Sequence, residues 1–133
     1  MSDARLDIVR RLTQAFEDRD AGIAEHFASD VIMHAPDGWP EPGPLIGRDE
    51  VIGQFTRLGE DWQSHTLTIE QAETRPGAAV VRLLWKTTGA ASEIALGMEI
   101  SGTYFFRDGL IHELGFFWSW DEAVAAAERG PSR

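Results

Sequence analysis

The chain has 133 residues, close to the commonest length of a single globular domain, and 43% of them are hydrophobic. It has no cysteine, which excludes disulfides, thiolate nucleophiles and cysteine-based metal sites. The net charge of −10 argues against nucleic acid and anionic membranes as partners, because both are bound through basic surfaces. The composition therefore predicts one soluble domain over residues 1–133.

The start of the chain carries no targeting signal. Met1 leads into Ser2 and Asp3, and no apolar run has the length needed to cross a membrane. We therefore expect a cytoplasmic protein without a membrane partner. The histidines lie at positions 26, 34, 65 and 112, which is not the paired spacing of a metal site, and no Gly-rich phosphate loop is present. The sequence thus predicts no metal and no cofactor.

Helical periodicity dominates the first third of the chain. The first predicted helix has hydrophobic residues every three or four positions: Leu6, Val9, Leu12 and Phe16. Asp20 is expected to cap a short second helix that carries Ile23 and Phe27. A short strand is predicted at 30–36, followed by a loop from Pro36 to Gly47. A third helix is expected from Arg48, and its buried stripe comprises Val51, Phe55, Leu58 and Trp62.

From His65 to Trp118 the hydrophobic period changes to two, which indicates four consecutive strands. Short turns between them favour an antiparallel meander. Ser119 and Glu122 then form a capping box for a short C-terminal helix. The predicted fold class is α+β, with a strongly bent antiparallel sheet packed against three N-terminal helices. Glycines within the strands permit the bending.

The last hairpin has two possible registers. A three-residue loop with Gly109 in the left-handed conformation places Tyr104 opposite His112 and makes the apolar faces of the two strands coincide. A two-residue Asp108-Gly109 turn shifts the pairing by one residue, and the faces then disagree. We therefore expect the three-residue loop.

Large side chains concentrate on the faces predicted to point inward. The expected lining comprises Met33, Phe55, Trp62, His65, Trp85, Met98, Ile100, Leu114, Phe116 and Trp118, together with Tyr104. One interpretation is an ordinary hydrophobic core. The other is a slot for a flat hydrophobic ligand, since small-molecule pockets are largely apolar with few polar groups.

Three segments carry a family resemblance: FASDVIMHAP (27–36), LIGRDEVIGQF (45–55) and FRDGLIHELGFFWSWDEAVAAAE (106–128). With the order of elements, they resemble the SnoaL-like domains of the nuclear transport factor 2-like superfamily, related to polyketide cyclases and ketosteroid isomerases. The resemblance implies a conical fold, a central pocket and a homodimer through the outer face of the sheet.

The chemistry of these relatives does not carry over residue by residue. The resemblance implies a catalytic aspartate at the end of the first strand, where this chain has Ala35. It implies oxyanion donors at Leu12 or Thr13 and at Gly102, and none of these side chains is the tyrosine or aspartate expected. The cyclases use an acid on the last strand, whose inward positions here hold no carboxylate.

Histidines are the remaining candidates for catalysis. His34 lies beside Ala35 and could act as a general base, although neighbours in a strand point to opposite faces. His112 and Tyr104 could together donate to an oxyanion or shuttle a proton, or could form a purely structural hydrogen bond.

Two functions therefore stay open. One is a pocket that binds a small hydrophobic, aromatic or polycyclic molecule, either as a binder or as an isomerase- or cyclase-type enzyme. The other is a non-catalytic interaction or dimerisation module. Its partner surface would comprise Glu99, Ser101, Thr103, Phe105 and Phe117.

Overall fold

A computed structural model describes residues 3–39, 43–60, 62–89 and 95–132. The elements in chain order are α1 (Ala4–Glu17), a 3-10 helix (Ala21–His26), β1 (Phe27–His34), β2 (Leu45–Ile46), α2 (Arg48–Glu60), β3 (Trp62–Arg75), β4 (Ala78–Gly89), β5 (Ala95–Arg107), β6 (Leu110–Phe117) and α3 (Trp120–Arg129). The α+β fold class predicted from the sequence is confirmed. Phe27 begins β1, so its placement in the second helix was wrong.

Polar side chains start the helices as the sequence indicates. Asp20 accepts a hydrogen bond from the backbone N–H of Gly22 at 2.8 Å, which caps the 3-10 helix. Ser119 accepts one from the N–H of Glu122 at 3.2 Å, and its hydroxyl donates to the Glu122 carboxylate at 3.0 Å. Both predicted caps are confirmed. They satisfy backbone donors that have no partner inside the first helical turn.

The sheet has six strands in the order β2-β1-β6-β5-β4-β3. The predicted meander of β3 to β6 is confirmed, and every neighbouring pair is antiparallel except β1 and β6, which run parallel. The short strand β2 lies in the segment predicted as a loop and pairs Leu45 with Met33. Two residues among prolines and glycines give no periodic signal, so the sequence did not reveal this strand.

The register predicted for the last hairpin was wrong. Arg107 pairs with Leu110, and Asp108 and Gly109 have φ angles of 56° and 78°, which makes a two-residue turn of the type I′ class. The pairing then steps from Phe106–Ile111 to Phe105–Glu113, so that His112 is an extra residue in β6. This β-bulge restores the agreement between apolar faces that the two-residue turn alone would break.

The two faces of the sheet are covered by different elements. On the inner face, α1 and α2 pack against the strands to form the main core. On the outer face, α3 packs through Ala123 and Ala127 onto Val80. The hydroxyl of Thr103 donates to the Ala123 carbonyl at 2.7 Å and so anchors the helix.

The predicted partner surface is therefore largely occupied by the chain itself. Ser101, Thr103 and Phe105 are 2%, 0% and 6% exposed, because α3 lies on β5. These three side chains lie on the outer face as expected, but they are buried there and so do not form an open partner surface. The sequence pattern assigns a residue to one face of a strand but does not show what covers that face.

Among the described residues, no helix combines the length and the apolarity that crossing a membrane requires.

Replacing Thr103 by valine should destabilise the fold by about 1–2 kcal/mol, because the change removes a buried hydrogen bond and leaves the Ala123 carbonyl without this donor. Urea denaturation of both proteins measures the difference. The matched control is Thr68→Val on an exposed position of β3, which should change stability by less than about 0.5 kcal/mol. Equal effects at the two positions would contradict the anchoring role of Thr103.

Candidate functional site

An apolar cavity of about 50 Å³ lies between the helices and the inner face of the sheet. Its lining comprises Leu12, Thr13, Phe16, Met33, Trp39, Phe55, Leu58, Leu67, Leu83, Trp85, Ile100, Tyr104 and Phe116. The volume is far below the roughly 300–1,000 Å³ of pockets that hold drug-sized ligands. In this conformation the cavity therefore has room for a few small groups only.

Aromatic rings fill most of the space between the layers. The Phe16 ring meets the edge of Phe55 with centroids 5.4 Å apart, and Phe55 meets Phe116 at 6.4 Å. Tyr104 and Phe116 are nearly perpendicular, with an angle of 89° between their planes. Such edge-to-face contacts are favourable arrangements of aromatic rings. The wall of the cavity is thus a packed cluster in which α1, α2, β5 and β6 each contribute a ring.

Some of the residues predicted to line the pocket border the cavity, and others lie elsewhere. Six of them border the cavity: Met33, Phe55, Trp85, Ile100, Tyr104 and Phe116. Leu114 is fully buried in the surrounding core and Met98 packs against that core half-buried. The side chain of Trp62 lies outside the described residues. Other lining residues come from α1 and, in the strands, are Leu67 and Leu83. The sequence predicts these residues only as parts of ordinary apolar faces.

Trp39 is a lining residue that the sequence did not reveal. It lies in the loop after β1, its ring is 5.8 Å from that of Trp118, and Trp118 donates its indole N–H to the Asp37 carbonyl at 2.8 Å. Trp118 is 45% exposed and so lies at the surface instead of on the predicted inner face. Trp39 is half-buried and lines the cavity. A tryptophan within a loop rich in proline and glycine was the available signal.

Two residues of the lining carry hydrogen-bond donors that have no partner among the described residues. The Tyr104 hydroxyl makes no hydrogen bond within the described chain, and burial raises the pKa of Tyr104, which keeps the phenol neutral. The indole Nε1 of Trp39 is buried and likewise has no acceptor there. Thr13 is different, because its hydroxyl donates to the Val9 carbonyl at 2.8 Å. Tyr104 and Trp39 therefore supply the polar character of an otherwise apolar site.

The position of the Tyr104 ring depends on Gly102. A Cβ atom at residue 102 would lie 3.0 Å from the Tyr104 hydroxyl oxygen and 3.1 Å from the Phe116 ring. The phenol therefore occupies the space that a side chain at residue 102 would take. The resemblance implies an aspartate donor at residue 102. In this chain the neutral phenol of Tyr104 lies where that side chain would be.

His65 joins α1 to the sheet. Its Nε2 lies 3.0 Å from the Glu17 carbonyl oxygen, and its Nδ1 accepts the indole N–H of Trp85 at 3.2 Å. Both contacts suit the neutral ring with its proton on Nε2. Burial lowers the pKa of His65. This predicted lining residue is 7% exposed and stands beside the cavity, where it fixes the Trp85 indole.

The two candidate catalytic histidines do not border the cavity. His34 lies on the other side of the sheet, with Nε2 3.0 Å from the Glu113 carboxylate. His112 is the extra residue of the bulge, and the register places Tyr104 opposite Leu114. The predicted pairing of Tyr104 with His112 was therefore wrong. The catalytic roles of His34, His112 and Tyr104 stay predictions. In the described ranges, no three His, Asp or Glu side chains come together as a metal site.

A model of the SnoaL-like domain family matches residues 9–114, which is well over half of the chain. This chain belongs to the SnoaL-like domain family. The match includes every described residue of the cavity lining except Phe116. A comparison with curated proteins finds no match to this SnoaL-like domain.

Solved structures share the fold of this SnoaL-like domain. A nuclear transport factor 2-like protein of unknown function from Burkholderia pseudomallei is 20% identical, with a TM-score of 0.77 over 93% of this chain and 97% of that one. IdmH from Streptomyces antibioticus, provisionally described as a polyketide cyclase, is 20% identical, with a TM-score of 0.76 over 91% and 96% of the two chains.

A third similar structure comes from a protein that was co-crystallised with a small molecule. TerC, co-crystallised with polyporic acid, is 15% identical, with a TM-score of 0.76 over 93% of this chain and all of that one (100%). At these identities the three likenesses establish the nuclear transport factor 2-like fold and nothing about the activity of this SnoaL-like domain.

Replacing Gly102 by alanine should destabilise the domain by roughly 1–3 kcal/mol, because the added methyl group would push the Tyr104 and Phe116 rings out of place. Thermal or urea denaturation measures this loss. Gly97→Ala on the same strand is the matched control, since a Cβ there meets only Leu84 at 4.0 Å. A Gly102→Ala protein as stable as the Gly97→Ala protein would contradict the close packing of Tyr104 over residue 102.

Stability should fall when the pH drops below about 6.5, the usual pKa of an imidazole. The unfolded chain then takes up a proton at His65, while the folded chain, in which the pKa of His65 is lowered, does so only at more acidic pH. Urea midpoints measured between pH 7.5 and 5 should show this fall. The fall should be smaller in His65→Gln. The control His26→Gln removes an imidazole outside this contact, and an equal flattening there would argue against His65 as the cause.

Proposed function

We propose that this SnoaL-like domain binds a small, flat, apolar molecule that carries a carbonyl or similar acceptor, in the cavity beneath Trp39. The observation that carries the proposal is a pair of donors, Tyr104 and Trp39, that have no partner among the described residues, in a lining whose one other hydroxyl in those ranges, that of Thr13, is already hydrogen-bonded. Small-molecule sites commonly combine a largely apolar wall with a few placed polar groups.

The donors favour a ligand acceptor for an energetic reason. A buried donor that has lost its water without gaining a partner costs about 1–3 kcal/mol. Among the described residues, the indole N–H of Trp39 has no acceptor, and the Tyr104 phenol is neutral and able to donate. A carbonyl oxygen of a bound molecule would satisfy either donor. A pure hydrocarbon would fill the cavity but would leave both donors unsatisfied.

The small volume indicates how a ligand would enter. With about 50 Å³ available, a ring system fits only if a wall residue moves. Trp39 is the lining residue best placed for this, because it is half-buried, lies on a loop and rests against the exposed Trp118. The ligand of TerC and the provisional assignment of IdmH as a polyketide cyclase support an aromatic or polycyclic class of ligand.

Binding fits the site better than catalysis through histidine does. Among the described residues, the lining contains neither a carboxylate nor a histidine, and His34 lies on the opposite side of the sheet. Isomerase or cyclase chemistry would need a proton acceptor at the ligand, and the Tyr104 phenol is a poor base because burial raises its pKa. The alternative function, an interaction module acting through the outer sheet face, loses support because α3 covers much of that face.

A pair of probes that differ only in the carbonyl group tests the proposal. 1-Indanone should bind and should raise the melting temperature, and Tyr104→Phe should weaken this binding about three- to tenfold, as expected for one neutral hydrogen bond. Binding of indane, which has no carbonyl, should not change in the variant. Isothermal titration calorimetry or ligand-observed NMR measures both affinities.

Thr13→Val is the matched control, because the Thr13 hydroxyl is already bound to the Val9 carbonyl. It should leave the ratio of 1-indanone to indane affinity unchanged. Failure of both probes to bind would refute the proposed ligand class. Equal weakening of both probes by Tyr104→Phe would show that the phenol shapes the cavity without anchoring an acceptor.

A further inference from the structure

A second hollow lies on the opposite side of the sheet from the central cavity. Its volume is about 480 Å³, within the range of roughly 300–1,000 Å³ typical of small-molecule sites. We call it the outer groove. Its lining comprises His34, Thr103, Phe105, Glu113, Gly115, Phe117, Ala126, Arg129, Gly130, Pro131 and Ser132. Strands β1, β5 and β6 form its floor, and the end of α3 with the following residues forms its wall.

The acidic residue of the outer groove, Glu113, already has hydrogen-bond partners for its carboxylate. Glu113 is 4% exposed, and its carboxylate lies 3.0 Å from Nε2 of His34. It also accepts the backbone N–H of Ser132 at 3.0 Å and the Ser132 hydroxyl at 2.8 Å. These three donors satisfy a buried carboxylate in the way that such groups require. Glu113 therefore holds the groove together and does not itself offer a free charge to a ligand.

Arg129, the basic residue of the outer groove, is not paired with an acid among the described residues. Arg129 occupies the last turn of α3, is exposed and has no carboxylate partner within the described ranges. A guanidinium group offers a planar fork of donors that matches a carboxylate in a bidentate arrangement. The chain has a net charge of −10, but repulsion by distant acids is screened beyond about 8–10 Å at moderate salt. Because three contacts already compensate the Glu113 carboxylate, the Arg129 guanidinium is a local charge that an anionic ligand in the groove could pair with.

Part of the outer groove is apolar. Phe105 is buried and Phe117 is half-buried, while Ala126 and Pro131 contribute from the opposite wall. Gly115 leaves room for this arrangement, because a Cβ at that residue would lie 3.3 Å from the Phe117 ring. A hydrophobic body placed on Phe117 would therefore be covered on one side by the sheet and on the other by the end of α3.

We propose that the outer groove is a second small-molecule site, which takes an organic anion with an aromatic or branched aliphatic body. The anionic group pairs with Arg129, and the body packs on Phe117 and Phe105. This site is independent of the central cavity, since the two hollows have no lining residue in common.

The test uses phenylacetate and its neutral analogue phenylacetamide as probes in NMR titrations of the whole chain. Phenylacetate should shift the amide signals of Gly115, Phe117 and Gly130 in a saturable way. Phenylacetamide should bind at least about tenfold more weakly, because a charged hydrogen-bonded pair is lost. Arg129→Gln should weaken phenylacetate binding to a similar extent and leave the affinity for phenylacetamide unchanged.

Arg48→Gln at the exposed start of α2 is the matched control, since it removes one positive charge far from the groove in the sequence and on another layer. It should not alter phenylacetate binding. Three outcomes would overturn the proposal: no saturable shifts at these amides, equal weakening by Arg48→Gln and Arg129→Gln, or phenylacetate shifts confined to Tyr104 and Ile100. The same holds if sedimentation shows a dimer that Phe117→Asp dissociates, because a second copy would then fill the groove.

Discussion

The β-bulge at His112 decides which side chains of β6 face each layer of the protein. Strict alternation from the buried Ile111 would turn Glu113 into the core and Leu114 out of it. The extra residue reverses this order, so that Leu114 and Phe116 enter the core and Glu113 faces the outer groove. An unpaired carboxylate in the core would be costly, and one inserted residue avoids this while leaving the two-residue turn intact. The aromatic wall and the buried acid thus have a common geometric cause.

The two faces of the sheet then acquire different chemical character. On the inner face, rings from α1, α2, β5 and β6 close around a small apolar space whose polar atoms are donors. On the outer face, the Glu113 carboxylate with its three donors lines the same groove as the Arg129 guanidinium, which has no carboxylate partner in the part of the chain that the structure describes. Proteins of one fold class host unrelated activities, because function depends on the side chains of a site and not on the backbone. In this chain a few side chains give the two faces of the sheet their different character.

Much of the architecture was accessible from the sequence because local patterns determine it. Leu12 and Phe16 lie at helical spacing, Leu83 and Trp85 alternate on a strand, and Ser119 precedes its helix with a capping pattern. The candidate site was only partly accessible. The bulge depends on the agreement of two faces in three dimensions, and the cover that α3 gives Thr103 depends on where the chain turns after β6. Trp39 approaches the cavity from a loop without periodicity, so no pattern placed it there.

The hydrogen bonds of Glu113 also have a consequence for the order of folding. This carboxylate joins His34, 79 positions earlier in the chain, to Ser132, 19 positions later. Contacts across such separations require the ends of long loops to meet, which is entropically unfavourable until the intervening elements are in place. The carboxylate can gain its full set of donors only when β1, β6 and the residues after α3 have all assembled. The burial of Glu113 is therefore satisfied in the complete domain and not in a partly formed sheet.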